Sequence, residues 1–167
     1  MQASGRPTPS GGSHEAKAAI TDLFHAYAMH FDRNEPEAVA ALFCDDALID
    51  YGPDVQPIRG RSAIVPRISP GLNEMFTATS HHLSNITIRF DDDENAFAIA
   101  YVYAWHRYRD GSPDGELWGQ YHNRFRRTVD GWRISELVLE VAGVSDFHRA
   151  NMHAIERRRQ HEAEGSS

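Results

Sequence analysis

The order of hydrophobic patterns along the chain predicts an α+β fold, with N-terminal helices packed on one face of an antiparallel sheet. Near the N-terminus, apolar residues recur at helical spacing, at Ile20, Leu23, Phe24, Tyr27 and Phe31. From about residue 79 onward, the chain instead alternates in the manner of strands separated by polar turns. Helices followed by a run of strands are typical of α+β domains.

The helical half predicts two helices, a short strand and a further short helix. The first helix is predicted over residues 15–32, with one apolar face turned to the core. A second begins in RNEPEAVAALF, where Asn34 is predicted as the cap and Pro36 fits only the first turn. The segment ALIDYG predicts a short strand, and GRSAIVPRI predicts a short helix damaged by Pro66.

The second half predicts an antiparallel meander. Its strands are HHLSNITIRF, AFAIAYVYAWHRYR, ELWGQYHNRFRR and WRISELVLEVAG, separated by turns such as DGSPDG. The second of these strands is apolar at both parities, so both of its faces are predicted to be buried. One face can pack on the helices, while the other lines a pocket or an oligomer interface.

The 167-residue length and composition predict a single domain. We expect a disordered leader over residues 1–14, an α+β domain over 15–145, and a helical or frayed tail over 146–167. A formal net charge of −7 argues against a nucleic-acid or anionic-membrane surface. No apolar run is long enough for a membrane span, and the N-terminus lacks a signal-peptide core. These features predict a soluble cytoplasmic protein whose partner is a small molecule.

No cofactor or metal is predicted. The chain lacks a dinucleotide-binding glycine motif, a phosphate-binding loop, a zinc-protease motif and a serine-hydrolase motif. Its single cysteine excludes a disulfide within the chain and a cysteine zinc cluster. The titratable or phenolic residues that remain are dispersed: Tyr27, Asp32, Tyr51, His81, His82, His106 and His122.

Two adjacent histidines in TSHHLSN raise a question of strand parity. Neighbouring side chains on a strand point to opposite faces, so only one of His81 and His82 can face a given pocket. Simple alternation groups His82 with Ile86, Ile88 and Phe90 on the more apolar face. A bulge at the strand entry would reverse that assignment.

An aspartate beside a histidine is the usual construction of a general base, because the carboxylate fixes the imidazole tautomer. Asp32 directly follows the last core position of the first helix. It could equally be a helix-end aspartate, and His106 could be a buried histidine bonded to a backbone carbonyl.

Taken together, five segments resemble the SnoaL-like branch of the nuclear transport factor 2 superfamily over about residues 15–145. The segments are AAITDLFHAYAMHFDRNEPEAVAALFCDDALIDYG, IRGRSAI, TSHHLSNITIRF, AWHRYRDG and GQYHNRFRRTVDGWRIS. The resemblance implies a cone, in which a strongly curved antiparallel sheet wraps around the helices and encloses a deep pocket. Within this branch the chain is most similar to scytalone dehydratase, hexachlorocyclohexane dehydrochlorinase and bile-acid 7α-dehydratase.

These relatives use an aspartate–histidine dyad, which the resemblance places on Asp32 and His81. The dehydrochlorinase pattern, Thr-x-His with an asparagine four residues later, selects His81 and Asn85, whereas the bile-acid dehydratase register could favour His82. Scytalone dehydratase adds a histidine and a tyrosine at positions matched by His106 and Tyr51. The tyrosine of the bile-acid enzyme is matched by Tyr27. No counterpart of the dehydrochlorinase arginine on the last strand is evident.

The resemblance therefore predicts a cofactor-independent, dehydratase-like lyase acting on a small apolar cyclic or aromatic substrate. Asp32 and His81 would remove a proton, Tyr51 and Tyr27 would stabilise the enolate, and His106 would protonate the departing hydroxyl. The residues expected to contact substrate are His82, Asn85, Trp105, Tyr121 and Phe76.

Two alternatives remain open at this point. One is proton transfer of the ketosteroid-isomerase or cyclase type, which begins with the same step. The other is a non-catalytic ligand-binding or structural subunit, such as the β subunit of ring-hydroxylating dioxygenases. In either case a homo-oligomer, a dimer or trimer, is expected from the doubly apolar strand.

Overall fold

The computed structural model describes residues 12–156 of the chain. Most of the predicted leader and the end of the predicted tail, residues 1–11 and 157–167, lie outside the described residues. No helix of the described part is long and apolar enough to cross a membrane. The elements are α1 (His14–Asp32), α2 (Pro36–Ala41), β1 (Phe43–Asp50), β2 (Ile58–Arg59), α3 (Ile64–Pro70), β3 (Phe76–Phe90), β4 (Asn95–Tyr108), β5 (Gly115–Thr128), β6 (Gly131–Ser145) and β7 (His153–Ala154).

Helix α1 matches its prediction to within one residue. Its first turn is capped by Ser13, whose side chain accepts a hydrogen bond from the Ala16 backbone N–H at 3.1 Å. Its apolar stripe, including Ile20, Phe24 and Tyr27, is buried in the core. The helix ends at Asp32, which places this carboxylate beside the first half of β3.

The next two helices correct two details of the sequence prediction. Asn34 does not cap α2: it has a positive φ of 56°, and its side chain donates to the Asn73 side chain at 2.8 Å. The residue at the cap position is Glu35, which makes no side-chain capping bond. Pro66 does not damage α3, because it lies in the first turn, where its missing N–H has no intrahelical partner to lose.

The predicted α+β fold with a curved sheet is confirmed, but the sheet is mixed. Its strand order is β2-β1-β6-β5-β4-β3, with β7 also paired to β6. The four long strands, β3 to β6, pair antiparallel as predicted. Strands β1 and β7 run parallel to β6. Neither is joined to β6 by a tight turn, so no hairpin imposes an antiparallel direction.

Strand β4 has one buried face and one partly exposed face. Its even-numbered residues, such as Ala100 and Ala104, are buried on the inner face of the sheet. On the outer face, Tyr101 is 47% exposed and Trp105 is half-buried. The prediction that both faces are buried is therefore wrong for the single chain.

The described part of the predicted helical or frayed tail is neither helical nor detached. We call residues 146–156 the C-terminal strap. Its strand β7 pairs with β6, and the Asp54 carboxylate accepts hydrogen bonds from the Ala150 and Asn151 backbone N–H groups at 3.0 and 2.8 Å. The strap is thus tied to the loop of residues 51–57.

Candidate active site

The two histidines of TSHHLSN lie on opposite faces of β3. His81 is paired with Ala104 and therefore lies on the inner face, whereas His82 is paired with Tyr103 on the outer face. The His82 Nε2 atom is 3.0 Å from the Ser80 hydroxyl, and its ring lies 5.8 Å from the Tyr103 ring. His82 is therefore separated from the interior by the sheet.

A bulge within β3 explains why simple alternation groups the wrong histidine with the core. The β3–β4 register shifts between Ser84 and Thr87, and Asn85 has a positive φ of 50°. Before the bulge odd-numbered residues face inward, and after it even-numbered residues such as Ile88 do. Asparagine tolerates this left-handed conformation better than most residues, which is the only sequence signal for the bulge.

The Asp32 carboxylate makes three hydrogen bonds with β3, two of them to His81. Its Oδ2 accepts the His81 backbone N–H at 2.8 Å, and its Oδ1 lies 2.7 Å from His81 Nδ1. Oδ1 also accepts the Thr79 hydroxyl at 2.8 Å. Because a carboxylate only accepts hydrogen bonds, this contact places a proton on Nδ1 and leaves the lone pair on Nε2.

Asp32 is ionised despite being half-buried. Burial acts to raise the pKa of its carboxyl, but the hydrogen bonds and charge of His81 and the Thr79 hydrogen bond outweigh it and lower that pKa. The His81 side chain is only 5% exposed. The pair is therefore a carboxylate and an imidazole of fixed orientation, largely shielded from water.

A cavity of about 430 Å³ lies beside His81, between the helices and the inner face of the sheet. Phe76 contributes to the cavity wall without filling the cavity. Trp105 lies on the outer face of the sheet, where the Arg107 guanidinium carbon is 4.9 Å from the centre of the Trp105 ring. The sequence-predicted residues that line the cavity are Tyr27, Tyr51, Phe76, His81, His106 and Tyr121.

Three of the residues expected to contact substrate do not line this cavity. His82 and Trp105 are on the outer face of the sheet, and Asn85 is an exposed residue of the β3 bulge. His122, singled out in the sequence, lies near Gln120 and Glu140 instead, with Nε2 3.0 Å from the Gln120 side-chain oxygen. The expectation for His82, Trp105 and Asn85 is therefore wrong. Strand parity places His82 and Trp105 on the outer face, and Asn85 lies in the bulge.

Three tyrosines form one wall of the cavity. The Tyr27 and Tyr51 hydroxyl oxygens are 2.6 Å apart, and the Tyr27 and Tyr121 rings lie 5.5 Å apart. Burial raises the pKa of all three phenols, so each stays protonated at neutral pH. Such phenols can donate hydrogen bonds to an oxygen that becomes negative.

His106 lies next to His81, with ring centroids 5.5 Å apart, but its electrostatics differ. Burial, followed by the nearby His81 and His148, lowers the pKa of His106 to about 3, and a hydrogen bond with the Gly115 backbone opposes this only partly. Its Nδ1 atom is buried without a hydrogen-bond partner among residues 12–156. His106 is therefore neutral at pH 7, and the expected role as a charged acid does not fit it.

The strap contributes cavity residues that the sequence prediction missed. Phe147, His148 and Arg149 all line the cavity. The His148 Nδ1 atom is 3.2 Å from the Tyr108 hydroxyl. Although His148 as a whole is an exposed residue, the partial burial of its ring and the charge of Arg149 lower its pKa to about 4. The only sequence feature that could have indicated these cavity residues is the DFHRAN segment, which is richer in aromatic and basic side chains than a frayed tail requires.

No group of three or more metal-ligating side chains lies together within residues 12–156. The polar side chains among the described residues that line the cavity are phenols, imidazoles, guanidinium groups, the Gln56 amide and one carboxylate, Asp54, and the Asp32 carboxylate contacts the His81 ring. This set can move protons and donate hydrogen bonds.

Residues 13–138 match the profile of the SnoaL-like domain family. A comparison with curated proteins finds no match.

Solved structures with the same fold are numerous. One from Novosphingobium aromaticivorans DSM 12444, provisionally assigned as a scytalone dehydratase, is 34% identical, with a TM-score of 0.80 over 86% of this chain and 95% of its own. Another from N. aromaticivorans, provisionally assigned as an aromatic ring hydroxylase, is 27% identical, with a TM-score of 0.75 over 80% of this chain and 94% of its own. The type-3 hexachlorocyclohexane dehydrochlorinase of N. barchaimii LL02 is 17% identical, with a TM-score of 0.70 over 86% of this chain and 96% of its own, a likeness of fold alone.

Proposed function

The chain belongs to the SnoaL-like domain family of the nuclear transport factor 2-like superfamily, and we propose that it is a cofactor-independent lyase that removes water from a small cyclic or aromatic carbonyl compound. Similarity to a protein provisionally assigned as a scytalone dehydratase supports a dehydratase-like role at the level of the family. The assignment to this chain rests on the geometry of its own dyad.

The observation that carries the proposal is the contact between Asp32 and His81 Nδ1. This contact leaves Nε2 as the basic nitrogen of a side chain that lines the cavity. The second hydrogen bond, from the His81 backbone N–H to the same carboxylate, fixes the Asp32 side chain against the β3 backbone that carries His81. A base that is held in place before substrate binds loses little entropy in the reaction.

The proposed reaction starts at His81 Nε2, which takes a proton from the carbon next to the substrate carbonyl. The electron pair of the broken C–H bond forms an enolate, whose oxygen accepts a hydrogen bond from Tyr51, directly or through water. Tyr27 supports Tyr51 through their 2.6 Å contact. Donors placed in this way stabilise the developing charge most strongly where water is excluded.

The second half of the reaction breaks the C–O bond. As the enolate reverts to a carbonyl, its electron pair forms a C=C bond and expels the hydroxyl group from the β-carbon. The hydroxyl takes the proton carried by the His81 imidazolium and leaves as water, which returns His81 to its neutral form. Neutral His106 would hold this hydroxyl by a hydrogen bond, instead of acting as the charged acid expected from the sequence.

The two alternatives are an isomerase or cyclase and a non-catalytic subunit. The first differs from the proposed lyase in what happens to the substrate after proton removal, and the second carries out no reaction. An isomerase or cyclase would use the same base and tyrosines but keep the hydroxyl group. A purely structural subunit would not require an open cavity, whereas a ligand-binding subunit would have one. The cavity of about 430 Å³ therefore argues against the structural role alone, and the Asp32–His81 contact beside it favours a catalytic role over ligand binding.

The test is a panel of cyclic β-hydroxy ketones, with enone formation monitored by absorbance. For any compound that the wild-type protein converts, we expect Asp32→Asn and His81→Ala to lower kcat/KM by about 10²–10⁴-fold. Equal turnover by the wild type and both variants would remove the dyad from the mechanism. Double-bond migration without water loss would point to the isomerase alternative.

A further inference from the structure

We propose that the substrate carries a carboxylate, which Arg149 of the strap and Arg67 of α3 bind at the end of the cavity formed by the strap and the 51–57 loop. This inference rests on the proposed function in one respect: it takes the cavity beside His81 as the substrate site. It adds a charged group to a substrate that the sequence predicts to be largely apolar.

Arg149 is held in place but keeps most of its hydrogen-bonding capacity. Its guanidinium carbon lies 5.5 Å from the centre of the Tyr51 ring, and one nitrogen donates to the Tyr51 carbonyl at 3.2 Å. That bond is its only one to a residue within 12–156. A guanidinium has five N–H donors in a planar fork, so the others stay free for a ligand.

The two arginines at this end of the cavity form no close ion pair within the described part of the chain, although the Asp54 carboxylate lies near Arg149. Neither Arg149 nor Arg67 has a carboxylate oxygen within 4.0 Å among residues 12–156. Arg67 donates to the Gln56 carbonyl at 3.0 Å. Asp54 also lines the cavity, and its negative charge offsets one of the two arginine charges, because hydrogen bonds and the charge of Arg149 lower the pKa of its carboxyl. Its two oxygens are directed at the strap, where they accept three hydrogen bonds from Ala150 and Asn151.

The charge of Arg149 also acts on neighbouring groups in the cavity. Burial raises the pKa of Tyr51 and of Tyr121, and in both cases the Arg149 charge acts in the opposite direction. His148, with a pKa of about 4, is uncharged at pH 7 and therefore adds no positive charge of its own. The positive potential at neutral pH comes from the arginines.

A carboxylate is the group that fits this arrangement. Its two oxygens match the spacing of paired guanidinium N–H donors, and such bonds are about twice as strong as neutral ones. In a partly closed cavity, an arginine partner also compensates the cost of removing the carboxylate from water. With the carboxylate at the strap, the rest of a ring substrate would extend toward Tyr51 and His81.

The experiment compares 2-naphthoate with 2-naphthamide, a neutral probe of nearly the same shape, by isothermal titration calorimetry at pH 7.5. We expect naphthoate to bind the wild-type protein at least tenfold more tightly than naphthamide. Arg149→Gln and Arg67→Gln should each weaken naphthoate binding severalfold, and together they should abolish the preference, with naphthamide unchanged. Arg149→Lys, which keeps the positive charge but not the planar set of guanidinium donors, should retain part of the preference for naphthoate.

Arg89→Gln is the matched control, because it removes the same charge from a surface arginine that pairs with Asp91 away from the cavity. It should leave both affinities unchanged. Absence of naphthoate binding, equal binding of the two probes, or a preference that survives the double substitution would overturn the inference.

The same titration with His81→Ala separates this inference from the proposed function. The preference for naphthoate should persist in that variant, because the arginines do not depend on the dyad. Loss of the naphthoate preference in His81→Ala would therefore count against the arginine site alone. Unchanged turnover of a substrate by His81→Ala would count against the proposed base alone.

Discussion

His81 and His82 have the same side chain, but of the two only His81 has a carboxylate on a ring nitrogen and lines the cavity. The Asp32 contact at 2.7 Å fixes its tautomer, while the His82 ring lies beside the Ser80 hydroxyl and the Tyr103 ring on the outer face. The two histidines are chemically identical, so they differ only in the surroundings that the two faces of the sheet give them.

At the same scale, the depressed pKa of His106 makes stability depend on pH. Its pKa is about 3 in the folded protein against about 6.5 when unfolded, so between these values the unfolded state binds more protons. Its contribution to stability is complete above pH 6.5 and is lost progressively as the pH falls toward 3.

We therefore expect His106→Gln to flatten the pH dependence of unfolding. Between pH 7.5 and pH 5, the wild-type free energy of unfolding should fall by on the order of 1–2 kcal/mol more than that of the variant, measured by urea denaturation. His82→Gln, on the exposed outer face, should follow the wild-type curve. Parallel curves for wild type and His106→Gln would contradict the assignment.

The sequence, with its family resemblance, singled out Tyr27, Tyr51, His81 and His106, which line one cavity, and Asp32, which contacts His81. It did not predict the electrostatic environment of each side chain. The low pKa of His106 arises from burial beside two other imidazoles, which only the folded packing reveals. His82, Asn85 and Trp105 were also expected to contact substrate, but His82 and Trp105 lie on the outer face of the sheet and Asn85 is an exposed residue of the β3 bulge.

At the scale of elements, irregularities in the strands shape the site. The β5–β6 register shifts between Trp118 and Gly119, and at Gly119 a Cβ atom would lie 2.5 Å from the Glu140 carbonyl oxygen. The same Cβ would press on Leu117 and Leu139, which both line the cavity. The bulge therefore requires a residue without a side chain.

We expect Gly119→Ala to destabilise the protein by about 1–3 kcal/mol, because backbone and cavity wall must both shift. Gly143→Ala is the matched control in β6, since its Cβ would meet nothing within 4 Å. That variant should remain within about 1 kcal/mol of the wild type. Chemical denaturation measures both, and equal losses would show that the close approach at Gly119 is not the cause.

The strap is the second element that positions cavity groups, and Asp54 fastens it. Asp54→Ala should increase hydrogen–deuterium exchange at the Ala150 and Asn151 amides, which would lose their acceptor. Asp114→Ala, which removes a carboxylate paired with Arg107, should leave those amides protected. Unchanged protection in Asp54→Ala would mean that other contacts hold the strap.

Local patterns predicted the elements better than the contacts between them. Helix α1 and the four long strands follow from periodicity within the segments themselves. The docking of the strap depends on bonds between residues almost one hundred positions apart, such as Asp54 and Asn151. A segment of mixed polarity with no period of its own gives little indication of such a partner.

At the scale of the whole molecule, the outer face of the sheet exposes an apolar patch. Tyr101 and Trp118 on this face are 47% and 44% exposed, and the Tyr103 ring lies 5.6 Å from the Trp118 ring on the same face. Apolar surface of this kind is typical of interaction sites. We propose that a second copy of the chain covers it, in keeping with the dimer or trimer expected from the sequence.

Light scattering coupled to gel filtration tests this proposal. The wild type should elute as a dimer or trimer, and Trp118→Glu should shift it toward the monomer, because a charge would be buried in the interface. Val129→Glu is the control, at a fully exposed apolar residue in the β5–β6 turn. A monomeric wild type, or dissociation by both substitutions, would contradict the proposal.

The overall architecture was the most predictable property of the chain. Helices followed by long strands defined the α+β class, and the family resemblance supplied the cone. The parallel pairing of β1 with β6 was not predictable from local patterns, because it joins strands separated by most of the domain.

We propose that His81, oriented by Asp32, removes a proton from carbon within the cavity. The most direct measurement is solvent deuterium exchange at the α-carbon of 2-tetralone, monitored by NMR, because it reports proton removal without requiring the natural substrate. Exchange above background is expected for the wild type and for His82→Ala, and a loss of about 10²–10⁴-fold for His81→Ala and Asp32→Asn. No exchange above background in the wild type, equal exchange in all four proteins, or loss in His82→Ala with His81→Ala unaffected, would contradict it.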